Sequence, residues 1–412
     1  MYLDLNVDLS ESELALKEQA HRFAAEVMRP AAAALDKLAA PEEVIAPDSA
    51  LWNVFRCYYE LGNHLGGFPE ELGGSTISAL GSHVIGEEMG WGAADLSIGL
   101  GVTSMPFRAA LFVGQLTGNQ ALIDELVVPF TSDKEGKVIG CWAITEPQHG
   151  SDTLIAVSPE YSSSISFLDT RGRLDGTDWI ISGAKSAWVS NGTIATHALI
   201  HMAVEGSNGA CIAFVPLDLP GVSRGKPLNK LGQRALNQGE IYFDNVRIPG
   251  HYILMPPELY TFASELILAG ANGGMGPTFT GVARAAFEEA LGYCKQRVQG
   301  GKPLCEHQLV QRKLFDMFIK VESARHLSRA VLNYNATAQP PLSRYAVASK
   351  IYCTQVAFDV ASDAVQLFGG MGLSKETLVE KLFRDARAAL IEDGVNDALA
   401  LAVAPQLISS YL

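Results

Sequence analysis

Two short runs in the middle of the sequence combine an aromatic ring with hydroxyl groups. Residues 142–152 read WAITEPQHGSD, a turn whose hydroxyls and free backbone N–H groups could hold a polar ring edge or a diphosphate. In residues 185–192, KSAWVSNG, Trp188 stands two positions before Ser190, so the indole could stack on a planar ligand while the hydroxyl bonds to its edge. The structural alternatives are a surface loop and a core tryptophan above a hairpin turn.

Two further runs, in the C-terminal half, suit a phosphate or a closely approaching ligand. Arg297 begins RVQGGKPL (297–304), and an arginine at a helix end beside a Gly-Gly loop could bind a phosphate. Gly369 and Gly370 follow the end of a predicted helix and permit close backbone approach to a ligand. A solvated arginine and an ordinary helix stop are the structural alternatives.

The elements that position the first two runs follow a helical N-terminal region. Ser10 could cap a helix that begins at Glu11, and Pro30 is expected to end or kink that helix. A second helical stretch covers 51–61, and small and apolar residues dominate 76–115, which predicts buried helices there.

Short β-rich runs with turn signals between them begin near Val138 and indicate a small barrel or sandwich. These runs are 163–168, 179–182, 197–202, 211–215 and 240–243. Helical spacing then returns, with long helices predicted over 281–299 and 343–368 and one or two more within 376–408. The predicted α+β multidomain chain comprises an N-terminal α-helical domain (1–137), a middle β-domain (138–251) and a C-terminal α-helical bundle (252–412).

Composition limits the possible partners. The net charge of −14, without a compensating basic stripe, argues against nucleic acid. No run of eighteen apolar residues is present, so no membrane span is expected. The N-terminal residues lack the pattern of a signal peptide, and the six scattered cysteines lack metal-ligand spacing. We therefore expect a cytoplasmic protein with reduced thiols and no metal site.

The four runs, in this order, resemble the acyl-CoA dehydrogenase family over nearly the whole chain. The matching patterns are TEPxxGSD (145–152), WxSNG (188–192), RxQxGxPL (297–304) and QxxGGxG (366–372). GFPEELGG (67–74) and the pair Glu87-Glu88 also resemble the family's N-terminal domain. The resemblance implies FAD as cofactor, an acyl thioester of CoA or a carrier protein as substrate, and an electron-transfer flavoprotein as acceptor. It further implies a C-terminal four-helix bundle and a homo-oligomer, a dimer or a tetramer.

The resemblance assigns roles to residues at the matching positions. Those implied to line the flavin ring and the thioester, or to stack on the flavin, are Trp142, Ile144, Thr145, Ser151, Trp188 and Ser190. Those implied to contact the dinucleotide, in part from a neighbouring subunit, are Arg297, Gln299, His307, Gln308, Gln366, Gly369, Gly370, Val395 and Asp397. Those implied to lie near the substrate are Ser151, His149, Asn272 and Gly394.

The resemblance also implies a base for α,β-desaturation, which removes the α-proton while the flavin accepts the β-hydride. Counting from Arg384-Asp385 places Asp393 at the base position, with Gly394 after it; Glu392 is the alternative. Burial must raise the pKa of either carboxyl to make a useful base. Since adjacent side chains on a loop usually diverge, we expect only one to face the flavin. A purely structural alternative is that Asp393 caps the last helix.

Several departures from the family pattern leave other functions open. An aspartate base resembles nitroalkane oxidase, as do residues 283–290 and 306–308, which would make the chain an oxidase or monooxygenase on the same fold. Against that, the Gly-Ser-Asp run is intact and Ala400 stands where that oxidase carries an arginine. Asn272 replaces an arginine common in the family, and Ala271 offers no alternative base. A non-catalytic, DNA-associated flavoprotein is a third possibility, which the acidic charge opposes.

Overall fold

The computed structural model describes residues 9–155 and 168–410. The first helix, α1 (Glu11–Phe23), begins at a capping box in which Ser10 Oγ accepts from the Glu13 amide and the Glu13 carboxylate accepts from the Ser10 amide. One π-helical turn follows, and α2 (Arg29–Leu35) continues from it. Pro30 lies in the first turn of α2, directly after the π-helical turn. The chain therefore continues as helix through the position where the sequence predicts an end or a kink.

The rest of the N-terminal region is also helical. Its elements are α3 (Pro41–Val44), α4 (Ala50–Glu60), α5 (Ala79–Gly92), α6 (Ala94–Val102), α7 (Met105–Thr117), α8 (Gln120–Leu126) and α9 (Val128–Thr131). By length and composition alone, the stretch 94–117 could cross a membrane, but α6 and α7 divide it and half of its apolar window is buried inside the protein. The helices predicted within 76–115 are thus confirmed, and their predicted burial is partial.

The middle region is a β-sheet. Its strands are β1 (Gly140–Ala143), β2 (Arg171–Asp175), β3 (Asp178–Lys185), β4 (His197–Val204), β5 (Ala210–Pro216), β6 (Val222–Arg224), β7 (Ile241–Pro249) and β8 (Ile253–Met255), with the short helix α10 (Ser151–Ile155) after β1. The spatial order is β6-β7-β3-β2-β4-β5-β8, and β1 pairs in parallel with β4. Because β8 pairs with β5, the sheet extends past the predicted boundary at 251. The predicted strand 163–168 lies outside the described residues except for Leu168.

The C-terminal region is dominated by long helices. They are α11 (Tyr260–Gln296), α12 (Gln308–Thr337), α13 (Ser343–Phe368), α14 (Leu378–Ala389) and α15 (Asn396–Ser410), with a hairpin of β9 (Val298–Gln299) and β10 (Lys302–Pro303) after α11. Helix α11 begins well before the predicted start at 281 and continues through Pro277. The sequence before that proline is rich in glycine, which disfavours a helix in isolation, so tertiary packing stabilises the helix there.

Helices α5 and α11 cross in backbone contact. A Cβ atom on Gly90 would lie 1.9 Å from the carbonyl oxygen of Thr278, and one on Gly281 would lie 2.1 Å from that of Glu87. Arg284 on α11 also donates to Glu87 and Glu88 on α5. This crossing joins the N-terminal region to the C-terminal helices.

Candidate active site

Two adjoining cavities are lined jointly by the N-terminal helices, the sheet region and the C-terminal part of the chain. The first cavity measures about 560 Å³ and the second about 640 Å³. The predicted site residues that line the first cavity are Trp142, Ile144, Thr145, Ser151, Trp188, Ser190, Glu392, Asp393 and Gly394. The residues that line both cavities are Ile98, Val102, Trp142 and Asp393. Within the described part of the chain, Asp393 is the single carboxylate that the two cavities share.

Trp142, on β1, is held in place by a buried histidine. Its Nε1 donates to Nε2 of His201 over 2.9 Å, and Nδ1 of His201 lies 3.1 Å from the hydroxyl of Tyr260. Burial lowers the pKa of His201 to about 3, so the imidazole is neutral and its Nε2 can accept. These hydrogen bonds orient the indole that borders both cavities.

The loop after β3 presents an aromatic face and a hydroxyl to the first cavity. Trp188 is 60% exposed, although large aromatic side chains are usually well covered. The Gln238 side-chain amide donates to the carbonyl of Trp188 over 3.1 Å and to Ser190 Oγ over 3.3 Å. The exposed ring and the hydroxyl are thus held side by side, as the sequence predicts for a planar ligand.

Two residues at the end of this loop explain its shape. Asn191 has a φ of 63°, in the left-handed region that asparagine tolerates, and its amide donates to the carbonyl of Gly99 over 2.8 Å. A Cβ atom on Gly192 would lie 2.2 Å from the carbonyl oxygen of Gly239, so only glycine is compatible with this approach. The loop is therefore anchored to α6 on one side and to the segment before β7 on the other.

Hydroxyl groups connect the loop after β1 to its neighbours. Ser186 Oγ donates to Thr145 Oγ1 over 3.0 Å, which ties this loop to the end of β3. Ser151 Oγ accepts from the backbone N–H of Val395 over 3.0 Å, which ties it to the loop that carries Asp393. The two sides of the first cavity are therefore joined by a direct hydrogen bond between the sheet region and the C-terminal region.

A buried ion pair also supports the loop that follows β1. Lys185 Nζ and Glu146 Oε1 are 2.7 Å apart, and both side chains are fully buried. Lys185 also donates to the carbonyls of Ile144 and His201, and Glu146 accepts from the Thr170 amide. Burial alone would raise the pKa of Glu146, but Lys185 keeps that pKa below its usual value. Burial lowers the pKa of Lys185, and the Glu146 carboxylate opposes that effect. The pair positions the backbone beside Thr145.

Asp393 adopts a left-handed backbone conformation, with a φ of 52°. Burial raises the pKa of its carboxyl group, and the nearby Lys350 acts in the opposite direction. Lys350, a buried lysine on α13, donates to the carbonyl of Gly394 over 2.8 Å and to Asn396 Oδ1 over 2.7 Å. Lys350 thus both shapes the loop and places a positive charge near the predicted base.

Glu392 and Asp393 both line the first cavity, and the expectation that only one of them faces the flavin stays a prediction. The Gln233 amide donates to Glu392 Oε1 over 2.6 Å. Burial and the Asp393 carboxylate raise the pKa of Glu392 to about 8. Only Asp393 reaches the second cavity as well, which separates the roles of the two groups.

Several lining residues have no recognisable motif in the sequence. Lys230 and Gln233, between β6 and β7, contribute polar groups to the first cavity, and Ile98 and Val102 on α6 border both cavities. The polar run KLGQR (230–234) is the sequence feature that contains Lys230 and Gln233, but such a run does not by itself indicate a ligand-binding site. Lys350 looks like an ordinary helix residue because its burial is visible only in the tertiary structure.

His149 lies outside the lining of both cavities. Its Nδ1 is 2.8 Å from Asp152 Oδ2, and its Nε2 is 3.9 Å from Asp169 Oδ2. Glu146, His149 and Asp169 offer ligand atoms within 4.8 Å of one another, but Glu146 is already engaged by Lys185. The predicted role of His149 near the substrate stays a prediction.

Asn272 also lies outside the lining of both cavities, in the interior of α11. Its side-chain amide donates to the carbonyl of Leu268 over 3.1 Å. The neighbouring Ala271 lines the second cavity instead. A direct contact between Asn272 and substrate therefore receives no support from this placement, whereas α11 itself borders the second cavity.

Most of the predicted dinucleotide contacts of the C-terminal region lie outside the lining of the two cavities, near the end of α11, the start of α12 and the end of α13. His307 Nε2 lies 2.9 Å from the carbonyl oxygen of Gln299 and braces the hairpin after α11. Tyr293 stacks on Phe368, with ring centroids 4.0 Å apart, and so brings the two helix ends together. The exposed members of this set are Arg297, Gln299, Gln308, Gln366, Gly369 and Gly370. Asp397, in the first turn of α15, is also exposed. The backbone N–H of Val395 donates to Ser151 Oγ, a side chain at the first cavity.

The first cavity suits the ring system of a flavin. It presents the exposed face of Trp188 to a flat ligand and offers hydroxyl groups at Thr145 and Ser190. Arg387 also lines it, and Arg387 Nη1 is buried without a hydrogen-bond partner among the described residues. A polar, planar ligand could stack on Trp188 and accept a hydrogen bond from Arg387 Nη1.

Comparison with known proteins agrees with this geometry. The N-terminal, middle and C-terminal domain models of acyl-CoA dehydrogenases match residues 10–125, 141–246 and 268–408. The chain is 31% identical to the mitochondrial short-chain specific acyl-CoA dehydrogenase of Bos taurus, over 98% of this chain and 92% of that protein.

Solved structures show the same likeness. Butyryl-CoA dehydrogenase from Megasphaera elsdenii is 25% identical, with a TM-score of 0.84 over 98% of this chain and 100% of that one. A glutaryl-CoA dehydrogenase from Mycobacterium smegmatis in complex with FADH2 is 23% identical and shares the fold, with a TM-score of 0.81 over 99% of this chain and 97% of that one. The chain belongs to the acyl-CoA dehydrogenase family, FAD-dependent oxidoreductases that act on CH–CH bonds.

Proposed function

We propose that this chain introduces an α,β double bond into an acyl-CoA thioester, with Asp393 as the base that removes the α-proton. The observation that carries this proposal is the position of Asp393, the single carboxylate shared by the two cavities within the described residues. FAD, when bound, supplies the acceptor for the β-hydride. Trp188, Ser190 and Thr145 would hold its ring system in the first cavity, and the apolar second cavity would take the acyl chain.

The carboxyl groups of Glu392 and Asp393 have different environments, and we propose different roles for them. Since the pKa of Glu392 is about 8, Glu392 is mostly protonated at neutral pH and can donate a hydrogen bond. Burial raises the pKa of Asp393 and the Lys350 charge opposes that rise. We assign the role of base to Asp393 because it alone of the two carboxyls also lines the second cavity.

Anaerobic titration of the FAD-loaded protein with a panel of acyl-CoA thioesters tests the proposal. We expect at least one saturated thioester to bleach the flavin absorbance and to yield the 2-enoyl product. The corresponding 2-enoyl-CoA, which already has the double bond between its α- and β-carbons, is the control. If no thioester of any chain length bleaches the flavin, the proposal is overturned.

Removal of the Lys350 charge should change the pH dependence of this step. A base must be ionised to act, so the rate rises with pH through the pKa of Asp393. Because Lys350 lowers that pKa, Lys350→Met should raise it further and move the acid limb of the reduction rate to higher pH. Rapid-mixing measurements of flavin reduction across pH 5–9 would show the shift.

Lys350→Arg is the matched control for this experiment, since it keeps the charge. A reduced rate with an unmoved pH midpoint in Lys350→Met would show that Lys350 acts only on loop geometry.

We also propose that the chain is a homo-oligomer in which the exposed dinucleotide residues reach FAD of a neighbouring copy. Two apolar side chains beside them, Leu309 and Leu373, are 86% and 79% exposed, which supports a covered surface there. We expect Arg297→Ala to lower FAD retention and the oligomeric mass together, because a charge-assisted contact to phosphate contributes roughly 1.5–3 kcal/mol. Flavin occupancy and light scattering would measure both. Unchanged values for both would contradict this assignment.

An electron-transfer flavoprotein is the proposed acceptor. The support is family membership together with the exposure of Trp188 beside the first cavity. Reoxidation of the reduced protein should be much faster with an electron-transfer flavoprotein than with oxygen. Rapid reoxidation by oxygen alone would favour the oxidase alternative.

A further inference from the structure

Three positively charged side chains line the first cavity: Lys230, Arg384 and Arg387. Arg384 forms ion pairs with Asp36 and Glu380. Lys230 donates to a backbone carbonyl over 2.8 Å and to a side-chain amide oxygen over 2.7 Å. The side chain of Arg387, in the last turn of α14, forms neither an ion pair nor a hydrogen bond with any residue that the structure describes. Arg387 is thus the cation of this cavity that the described protein does not engage.

Part of the Arg387 guanidinium group is also closed off from solvent. Its Nη1 is one of four arginine nitrogens that are buried without a hydrogen-bond partner among the described residues; the others belong to Arg29, Arg284 and Arg329. Each of those three arginines forms an ion pair with a glutamate. A guanidinium group stays protonated in proteins, and a buried charge is costly unless it is paired. A ligand of the first cavity that carries or gains negative charge would supply the compensation that Arg387 lacks.

The part of FAD that Arg387 would face is the flavin ring. Arg387 lines the same cavity as Trp188, whose exposed face suits that ring. Arg297 and Gln299, which are predicted to reach the diphosphate, lie outside the lining of this cavity. The negative charge that Arg387 meets is therefore expected to come from the ring and not from the diphosphate.

The charge on the ring changes during the proposed reaction. The β C–H bond of the thioester breaks and supplies a hydride, which carries two electrons and one proton, while the α-proton passes to Asp393. The ring that receives the hydride therefore gains one negative charge. A cation fixed beside a partly enclosed cavity stabilises such a charge more than water does, since the surroundings screen it less. Glu392, with a pKa of about 8, is mostly protonated at neutral pH and cancels little of the Arg387 charge.

We propose that Arg387 stabilises the reduced flavin ring more than the oxidised ring, and so raises the reduction potential of the bound FAD. This inference rests on the proposed binding of the flavin ring in the first cavity. Because binding and reduction are linked, the factor by which Arg387 favours reduction equals the ratio of its effects on the affinities for reduced and oxidised FAD.

The reduction potential of the FAD-loaded protein can be measured without any thioester, by reduction with xanthine and xanthine oxidase in the presence of a reference dye. In Arg387→Met, we expect the equilibrium constant for two-electron reduction to fall roughly 10- to 100-fold, the range for a contact to a charged group, which lowers the potential by about 30–60 mV. Arg387→Lys keeps the charge and should retain most of the potential. Arg387→Gln, which is polar but uncharged, replaces Arg387→Met if that variant does not retain FAD.

The alternatives to this role give different results. An unchanged potential in Arg387→Met with FAD bound would overturn the inference. Equal losses of affinity for oxidised and reduced FAD would assign Arg387 to the diphosphate, whose charge is the same in both states, and would also overturn it. A potential in Arg387→Lys as low as that of Arg387→Met would show that the charge is not the cause, with the same consequence.

Failure of this inference can be told apart from failure of the proposed function, because the potential is measured without substrate. An unchanged potential in Arg387→Met, combined with bleaching of the wild-type flavin by a thioester, overturns the role of Arg387 alone. A lowered potential in Arg387→Met, combined with no bleaching by any thioester, supports the role of Arg387 and overturns the proposed dehydrogenation.

Discussion

Asp393→Asn should lower the rate of flavin reduction by substrate about 10²- to 10⁴-fold while FAD remains bound. The substitution keeps the size and polarity of the side chain but removes the proton acceptor, and a positioned base typically contributes a factor of that size. Asp393 is partly accessible at the junction of the two cavities, so the loss of its charge should not disturb the core. Rapid mixing with substrate, together with the flavin absorbance of the purified variant, measures both quantities.

Glu392→Gln is the matched control, because Glu392 is the only other carboxyl of the first cavity within the described residues. Since Glu392 is mostly neutral at pH 7, an amide in its place should alter the rate far less than Asp393→Asn does. A wild-type rate for Asp393→Asn, combined with an inactive Glu392→Gln, would transfer the role of base to Glu392.

Lys185→Met should destabilise the protein by roughly 3–5 kcal/mol, because it leaves the Glu146 carboxylate buried without its counter-charge. The two carbonyl acceptors of Lys185, on Ile144 and His201, would lose their donor as well. Urea denaturation followed by circular dichroism would report the change in the free energy of unfolding. Because Ile144 lines the first cavity and His201 holds Trp142 there, and because we propose that the flavin binds in that cavity, we also expect weaker FAD retention.

The double variant Lys185→Met/Glu146→Gln separates the buried charge from the lost hydrogen bonds. A glutamine can still accept from the Thr170 amide without introducing an unpaired charge, so the double variant should be more stable than Lys185→Met alone. Equal stability of the two variants would show that the uncompensated carboxylate is not the cause.

Short sequence runs bring together residues that all line the first cavity in the structure. Trp142, Thr145 and Ser151 lie within eleven positions of one another, and Trp188 and Ser190 are two positions apart. A hydroxyl beside an exposed tryptophan has a chemical meaning that can be recognised without coordinates. The predicted order of helices, strands and helices was confirmed for the same reason, since each region has its own periodicity.

The second cavity could not be predicted in this way. Its walls are apolar residues of buried helices that are far apart in the chain, such as Val102 on α6 and Ala271 on α11, and each resembles ordinary core. The pairing of Gln233 with Glu392 likewise joins residues 159 positions apart. Such contacts depend on how the three regions pack, which local patterns do not encode.

The crossing of α5 and α11 has a consequence for the evolution of substrate range. Gly86 and Pro277 lie at this crossing and also line the second cavity, and a Cβ atom on Gly86 would be 3.2 Å from the proline ring. The separation of these two walls is thus set by main-chain contact, whereas the side chains further along the cavity are free to vary. We therefore expect side-chain substitutions to change the length of the second cavity, whereas its width at this crossing is fixed by the close approach of α5 and α11.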